Sequence, residues 1–269
     1  MTIISLPLFR ATLKFNAVRW LVFAAILTMY FSIVIGMFDP GMKDLLDIKL
    51  AAMPKNLLEA MNFKIKDSSL LGFVVGYLYG FLMVFLPLIY SIITADRMIA
   101  RQVDAGSMAF LLATPVSRAA VARTQALFLL ASITVLFGFI TVWGIVISAF
   151  MFPGALDTAN FIKLNIGLTL LYYALSGVGF FCSCASNESR YSLGVGGGLV
   201  VAFLLFKMLS GVGESVSWLK YFSLFTFFDP EAIVAGSEGV ALSWTALAAL
   251  AAALYAGGIA LFSRKDLPL

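Results

Sequence analysis

Long apolar stretches make up most of this chain, separated by short clusters of charge, glycine and turn residues. A criterion of about 20 apolar residues per membrane-spanning helix selects six of them: 18–38, 70–94, 122–150, 161–185, 193–213 and 241–262. Each is far longer than the roughly ten residues of a membrane β-strand. A helix also satisfies its own backbone groups in lipid, as a lone strand does not. The pattern predicts an all-α membrane protein with six spans in one domain, residues 1–269. Spans three and four lie closest together, parted only by a short break at Pro153, Gly154 and Asp157.

Composition agrees, with 62% hydrophobic and 12% charged residues where a soluble domain carries about 25% charged. Charge adds an orientation. In a six-span layout all eight arginines fall on one side, at positions 10, 19, 97, 101, 118, 123, 190 and 264, with Lys14 and Lys265. That side carries Asp96, Asp104, Glu188 and Asp266 as its acids and is strongly basic; the other side is slightly acidic. Positive loops stay in the cytoplasm, so both termini are expected inside. The basic overall charge then reflects topology and calls for no nucleic-acid partner.

The segments between the spans differ in kind. Residues 9–19 alternate Phe9, Leu13 and Val18 with Arg10, Lys14 and Asn16. They suit either an amphipathic elbow helix lying on the inner leaflet or a plain cytoplasmic extension of span one. The first outer loop, 39–69, is locally neutral and contains a candidate helix opened by Pro54, with Leu57, Leu58, Met61 and Phe63 in helical spacing. The last, 218–236, is aromatic but broken at Asp229-Pro230. It reads as a re-entrant or interfacial segment, with Trp218, Tyr221 and Trp244 at headgroup depth.

The segment 95–125 stands apart, setting four arginines, two aspartates, a glycine and a proline between two spans. Between Asp96 and Asp104, the residues Arg97, Arg101 and Asp104 fall at i, i+4 and i+7, one polar helical face, while Ile99 and Val103 take the other. Gly106 can end this helix. Ser107 then caps a short apolar segment that Pro115 stops, and Ser117 caps span three. About thirty residues exceed an ordinary connection, which predicts a docking surface for a cytosolic partner.

Chemistry is scarce elsewhere. The chain has no histidine, which removes the commonest general base and the Ser-His-Asp arrangement. No Gly-Lys pair supports a phosphate loop. Leu209-Ser210-Gly211-Val212-Gly213 superficially matches an ATPase signature, but it closes a span. Cys182 and Cys184 are too few for a metal site of their own; the reading is structural thiols. Lys207 is the exceptional ionisable residue within a span, placed either to snorkel outward or to line a path. Gly194, Gly196, Gly197 and Gly198 in span five suit close helix packing, within the chain or against a second copy.

The run D-x-G-S-M-x-x-L-L-A-T-P-V-S-R, from Asp104 to Arg118, resembles the first cytoplasmic loop of permeases of export-type (type-2) ATP-binding cassette transporters. The basic N-terminal segment, the outer segment SLFTFFDPEAIVAG and the close FSRKDLPL extend the likeness along the chain. The resemblance implies a transmembrane subunit pairing with a second permease and two cytosolic ATPase subunits in a bacterial plasma membrane. The ATPases would use ATP and Mg, and this chain would bind no cofactor. It assigns ATPase coupling to Arg10, Lys14, Asp96, Arg97, Arg101, Asp104, Gly106, Pro115 and Arg118. It borders the substrate path with spans two and five, hence Tyr77, Tyr79, Ser91 and Lys207, and it favours the span-five glycines for dimer packing. The chain departs from the family habit at Arg101, where an acid is common, and at Gln125, where lysine is. Rival readings are a membrane enzyme acting on lipid or peptide, and a sensory or scaffold membrane protein.

Overall fold

The computed structural model describes residues 4–39 and 69–266. The helix expected after Pro54 lies outside the described residues. Among the described residues, six helices are long and apolar enough to cross a membrane: Leu6–Gly36, Leu70–Met98, Arg118–Met151, Thr158–Ala185, Ser189–Ser210 and Gly239–Arg264. No strand occurs among the described residues.

Of the two readings of residues 9–19, span one takes the plain extension, with no separate elbow helix among the described residues. Leu6–Gly36 is one helix of 31 residues opened by Pro7 in its first turn, about 46 Å at 1.5 Å per residue against a hydrocarbon core of about 30 Å. Residues 9–19 therefore continue the span instead of turning along the leaflet. The reason lies in span three, Arg118–Met151, which is 34 residues long and accompanies span one for most of its length. Polar contacts hold the two together. The Ser5 N–H donates to Thr124 Oγ1 at 2.9 Å, Thr12 Oγ1 to Gln125 Oε1 at 3.3 Å, and Trp20 Nε1 to the Ser132 carbonyl at 3.2 Å. Gln125, the departure from the family habit, is fully buried in this seam.

Span four is the axis of the bundle. It packs against spans two, three, five and six, and its wholly buried residues include Phe161, Leu164, Leu168, Tyr172 and Phe180. Its polar groups are satisfied internally, as lipid demands. Asn165 accepts from Tyr79 and donates to the Phe161 carbonyl, and Ser176 pairs with Tyr255 of span six at 2.8 Å. Gly179 allows span two to cross closely: a Cβ there would lie 2.9 Å from the Ala95 Cβ.

Spans two and five share a feature that the hydrophobic pattern conceals. Val75–Leu82 in span two and Leu193–Gly197 in span five are π-helical, each continuing into ordinary α-helix. Such wide turns concentrate at functional sites. Between spans five and six the chain forms two short 3-10 turns, Glu214–Phe222 and Leu224–Phe227, then the helix Pro230–Val234. Asp229 Oδ1 caps that helix, accepting from the N–H groups of Glu231 and Ala232. Phe225, Phe228 and Ile233 are buried, while Trp218 and Tyr221 are exposed. Trp244, near the start of span six, packs its indole over Gly167.

Candidate functional site

The segment 95–125 forms a compact elbow at the end of the bundle. Span two closes at Met98, and Ile99 departs from helical geometry (φ −132°, ψ −64°) before the short helix Ala100–Asp104 begins. Gly106, at φ +71°, turns the chain in a conformation that L side chains rarely adopt, and Ser107–Leu112 follows. Ser107 does not cap this second helix; its hydroxyl donates back to the Gln102 carbonyl. Ser117 does cap span three, accepting from the Ala120 N–H at 3.2 Å. Ile99, Val103 and Met108 are buried beneath the elbow, and Phe110 on its outer side is 83% exposed.

The break at Ile99 divides the three charges expected on one polar face, and Asp96 lies apart from them. Arg101 and Asp104 are exposed and Arg97 is half-buried, whereas Asp96 is only 3% exposed. Asp96 Oδ2 accepts from Ser189 Oγ at 2.7 Å, and Asp104 Oδ2 accepts from the Ser189 N–H at 3.3 Å. Ser183 reinforces the junction, accepting from the Ala100 N–H and donating to the Asp96 carbonyl. The elbow is thus tied to the turn joining spans four and five. Asp96 belongs to that tie and is too buried to reach a partner.

A second tie runs through Arg118, expected as a coupling residue. Its Nη1 donates to the Lys265 carbonyl at 2.6 Å. Lys265 Nζ in turn donates to the carbonyls of Ala185 and Cys184, at 2.7 and 3.2 Å. These carbonyls close span four, where a cation also complements the helix dipole. Burial lowers the Lys265 pKa from its ordinary value, with an opposing contribution from Cys184. Hydrogen bonds thus join the start of span three to the ends of spans four and six. Of the other expected coupling residues, Arg10 and Lys14 lie along the first three turns of span one and Pro115 is exposed at the close of the elbow.

At the opposite end, a cavity of about 220 Å³ lies between span two, span five and the broken outer segment. Tyr79 and Lys207 both line it, with Lys220, Ser210, Phe225 and Phe228. The ring of Tyr79 is buried, its hydroxyl donating to Asn165 Oδ1 at 2.9 Å. The other two path candidates are elsewhere: Tyr77 packs on Phe73 with ring centroids 4.5 Å apart, and Ser91 is buried with its hydroxyl on the Leu88 carbonyl.

A family model for ABC-2 family transporter proteins matches residues 11–267. The chain belongs to the ABC-2 transporter family. It is a multi-pass membrane protein and a transmembrane transporter subunit, of a family whose permeases partner with ATP-binding cassette ATPases. No curated protein and no solved structure matches it.

For an ABC-2 permease the span-five glycines divide into two pairs. Gly196 and Gly197 are buried within the chain: a Cβ at Gly196 would meet the Cys182 Cβ at 2.9 Å, and one at Gly197 the Ile92 side chain at 3.0 Å. They pack span five on spans four and two, which removes them from the dimer seam expected of them. Gly194 and Gly198 face open space beside the exposed Val195, Leu199 and Leu205. Ser183, Ser189, Lys265 and Phe110 escaped the sequence reading. Serines in polar turns and a single aromatic among apolar residues carry no periodic signal; only the tertiary ties give them a role.

Proposed function

We propose that the chain is the membrane half of an ATP-driven exporter, working as a dimer with two cytosolic ATPase subunits that bind ATP and Mg. The elbow 95–125 seats the ATPase. The observation that carries this reading is its combination of a buried apolar underside, an exposed Phe110, and hydrogen-bonded ties to the other spans. A push on the exposed face reaches spans four and five through Asp96 and Ser189, and spans three and six through Arg118 and Lys265. Both termini and the elbow lie in the cytoplasm of a bacterial cell on this reading, following the arginine bias.

Two copies would meet along the open face of span five, with Gly194 and Gly198 allowing close approach. The π-helical turns of spans two and five mark the walls of the path, and the outer cavity at Tyr79 and Lys207 is its outer chamber. A path with so few charges suits an amphipathic or hydrophobic cargo such as a peptide, an antibiotic or a lipid. The chain itself hydrolyses nothing. Co-purification with an ATPase encoded beside this permease tests the proposal. Phe110→Ala with Arg101→Glu should abolish capture of the ATPase while the permease stays folded; undiminished capture would refute the elbow as its seat.

A further inference from the structure

We propose that the groove between spans one, two and three binds an anionic phospholipid, with Arg19 and Arg97 holding the headgroup. The groove has a volume of about 490 Å³, within the range of about 300–1,000 Å³ typical of ligand pockets. Phe9, Leu13, Trp20, Leu21, Phe128 and Val135 give it an apolar wall. Asn16 is its polar marker: it lines the groove, and its Oδ1 accepts a hydrogen bond from Arg19 Nη1. Arg19 is thereby held beside the groove, which Tyr90 of span two also lines.

Charge complementarity selects the occupant. Arg97 lies two turns beyond the lining residue Tyr90 on the same face of span two. Phe23, one turn from Arg19, packs on Tyr90 with ring centroids 5.4 Å apart, so two cations from two spans approach the same end of the groove. Asp96, the acid adjacent to Arg97, is turned away onto Ser189. Like charges this close repel, and an anion between them relieves the repulsion. A soluble anion would leave the groove unfilled. An anionic phospholipid satisfies both parts at once, placing phosphate among the guanidiniums and an acyl chain along Trp20. Leu21, which lines the groove, is 59% exposed. Basic recesses between spans attract acidic headgroups on general grounds, and here an apolar groove opens beside such a recess.

Trp20 supplies the probe. Trp143→Phe, Trp218→Phe and Trp244→Phe together leave it alone of the four tryptophans. This permease is placed in phosphatidylcholine bilayers containing rising fractions of phosphatidylglycerol or phosphatidylcholine with brominated acyl chains, which quench indole on contact. Half-quenching is expected at an about tenfold lower mole fraction of the brominated phosphatidylglycerol, given roughly a severalfold gain per arginine near an acidic surface. Arg19→Gln with Arg97→Gln should bring the two lipids together. Equal quenching before substitution, or a preference that survives it, overturns the proposal. So does recovery of Trp20 fluorescence when the ATPase binds, which would assign the groove to that subunit. Should the triple tryptophan variant fail to fold, mass spectrometry of the otherwise unaltered permease decides the matter. Phosphatidylglycerol should be retained there and lost on the double arginine change; no difference between the two overturns the assignment.

Discussion

Gly179→Ala tests the point where spans two and four cross. The added Cβ would sit 2.9 Å from the Ala95 Cβ, whereas ordinary carbon contacts lie near 3.5–4.0 Å. Both atoms are fixed to helix backbones, so no flexible side chain can give way and the helices must part by roughly half an ångström or more. Overpacking of this kind costs about 1–3 kcal/mol. At about 2–4 °C per kcal/mol for a chain of this size class, the midpoint of thermal unfolding in detergent should fall by about 2–12 °C. Ala95 adjoins Asp96, so the displacement should also strain the tie to Ser189 and weaken transport beyond the loss of stability. Ala95→Gly in the same chain removes the opposing methyl and should restore most of the midpoint. The recovery stays incomplete because glycine costs about 1 kcal/mol relative to alanine inside a helix. A midpoint unchanged by Gly179→Ala, or a deficit untouched by Ala95→Gly, would refute the packing argument.

Three further outcomes follow from the ties and the outer cavity. Lys265→Met removes the donor to the Cys184 and Ala185 carbonyls; solvent screening limits the cost to about 1 kcal/mol, measurable as a small shift in thermal midpoint. Asp96→Ala leaves Ser189 Oγ without its acceptor and should cost about 1–3 kcal/mol. It should also lower the permease-stimulated ATPase rate of the complex, and a normal rate would detach this tie from coupling. Tyr79→Phe keeps the ring and frees Asn165 Oδ1, costing about 1 kcal/mol. Cargo-stimulated ATPase activity should change with it if the outer cavity receives cargo, and an unaltered cargo response speaks against that role.

The hydrophobic pattern revealed the six spans because bilayer thickness imposes a length that any reader can count. It left open how far span one extends, since Thr12, Asn16 and Gln125 look like surface residues until Thr12 is paired with Gln125 and Asn16 with the Thr12 carbonyl. The elbow was legible from Gly106, Pro115 and Ser117, whose backbone requirements are local. Its charges were not. Arg97 and Arg101 share a helical face only if the helix is unbroken, and Ile99 breaks it. The same limit separates Gly196 and Gly197 from Gly194 and Gly198: four glycines in one short run read alike, and only the neighbours on spans two and four assign them to opposite sides. The π-helical turns left no trace in the sequence because widening a turn shifts register without altering hydrophobicity.

The seat of the ATPase is the claim on which the rest depends, and a photo-crosslinker in place of Phe110 tests it most directly. With the same group in place of Trp218 at the outer end as the control, irradiation of the assembled complex should join the ATPase to position 110 and leave position 218 unmodified. Absence of an ATPase adduct at 110, or an equal adduct at 218, would contradict the account.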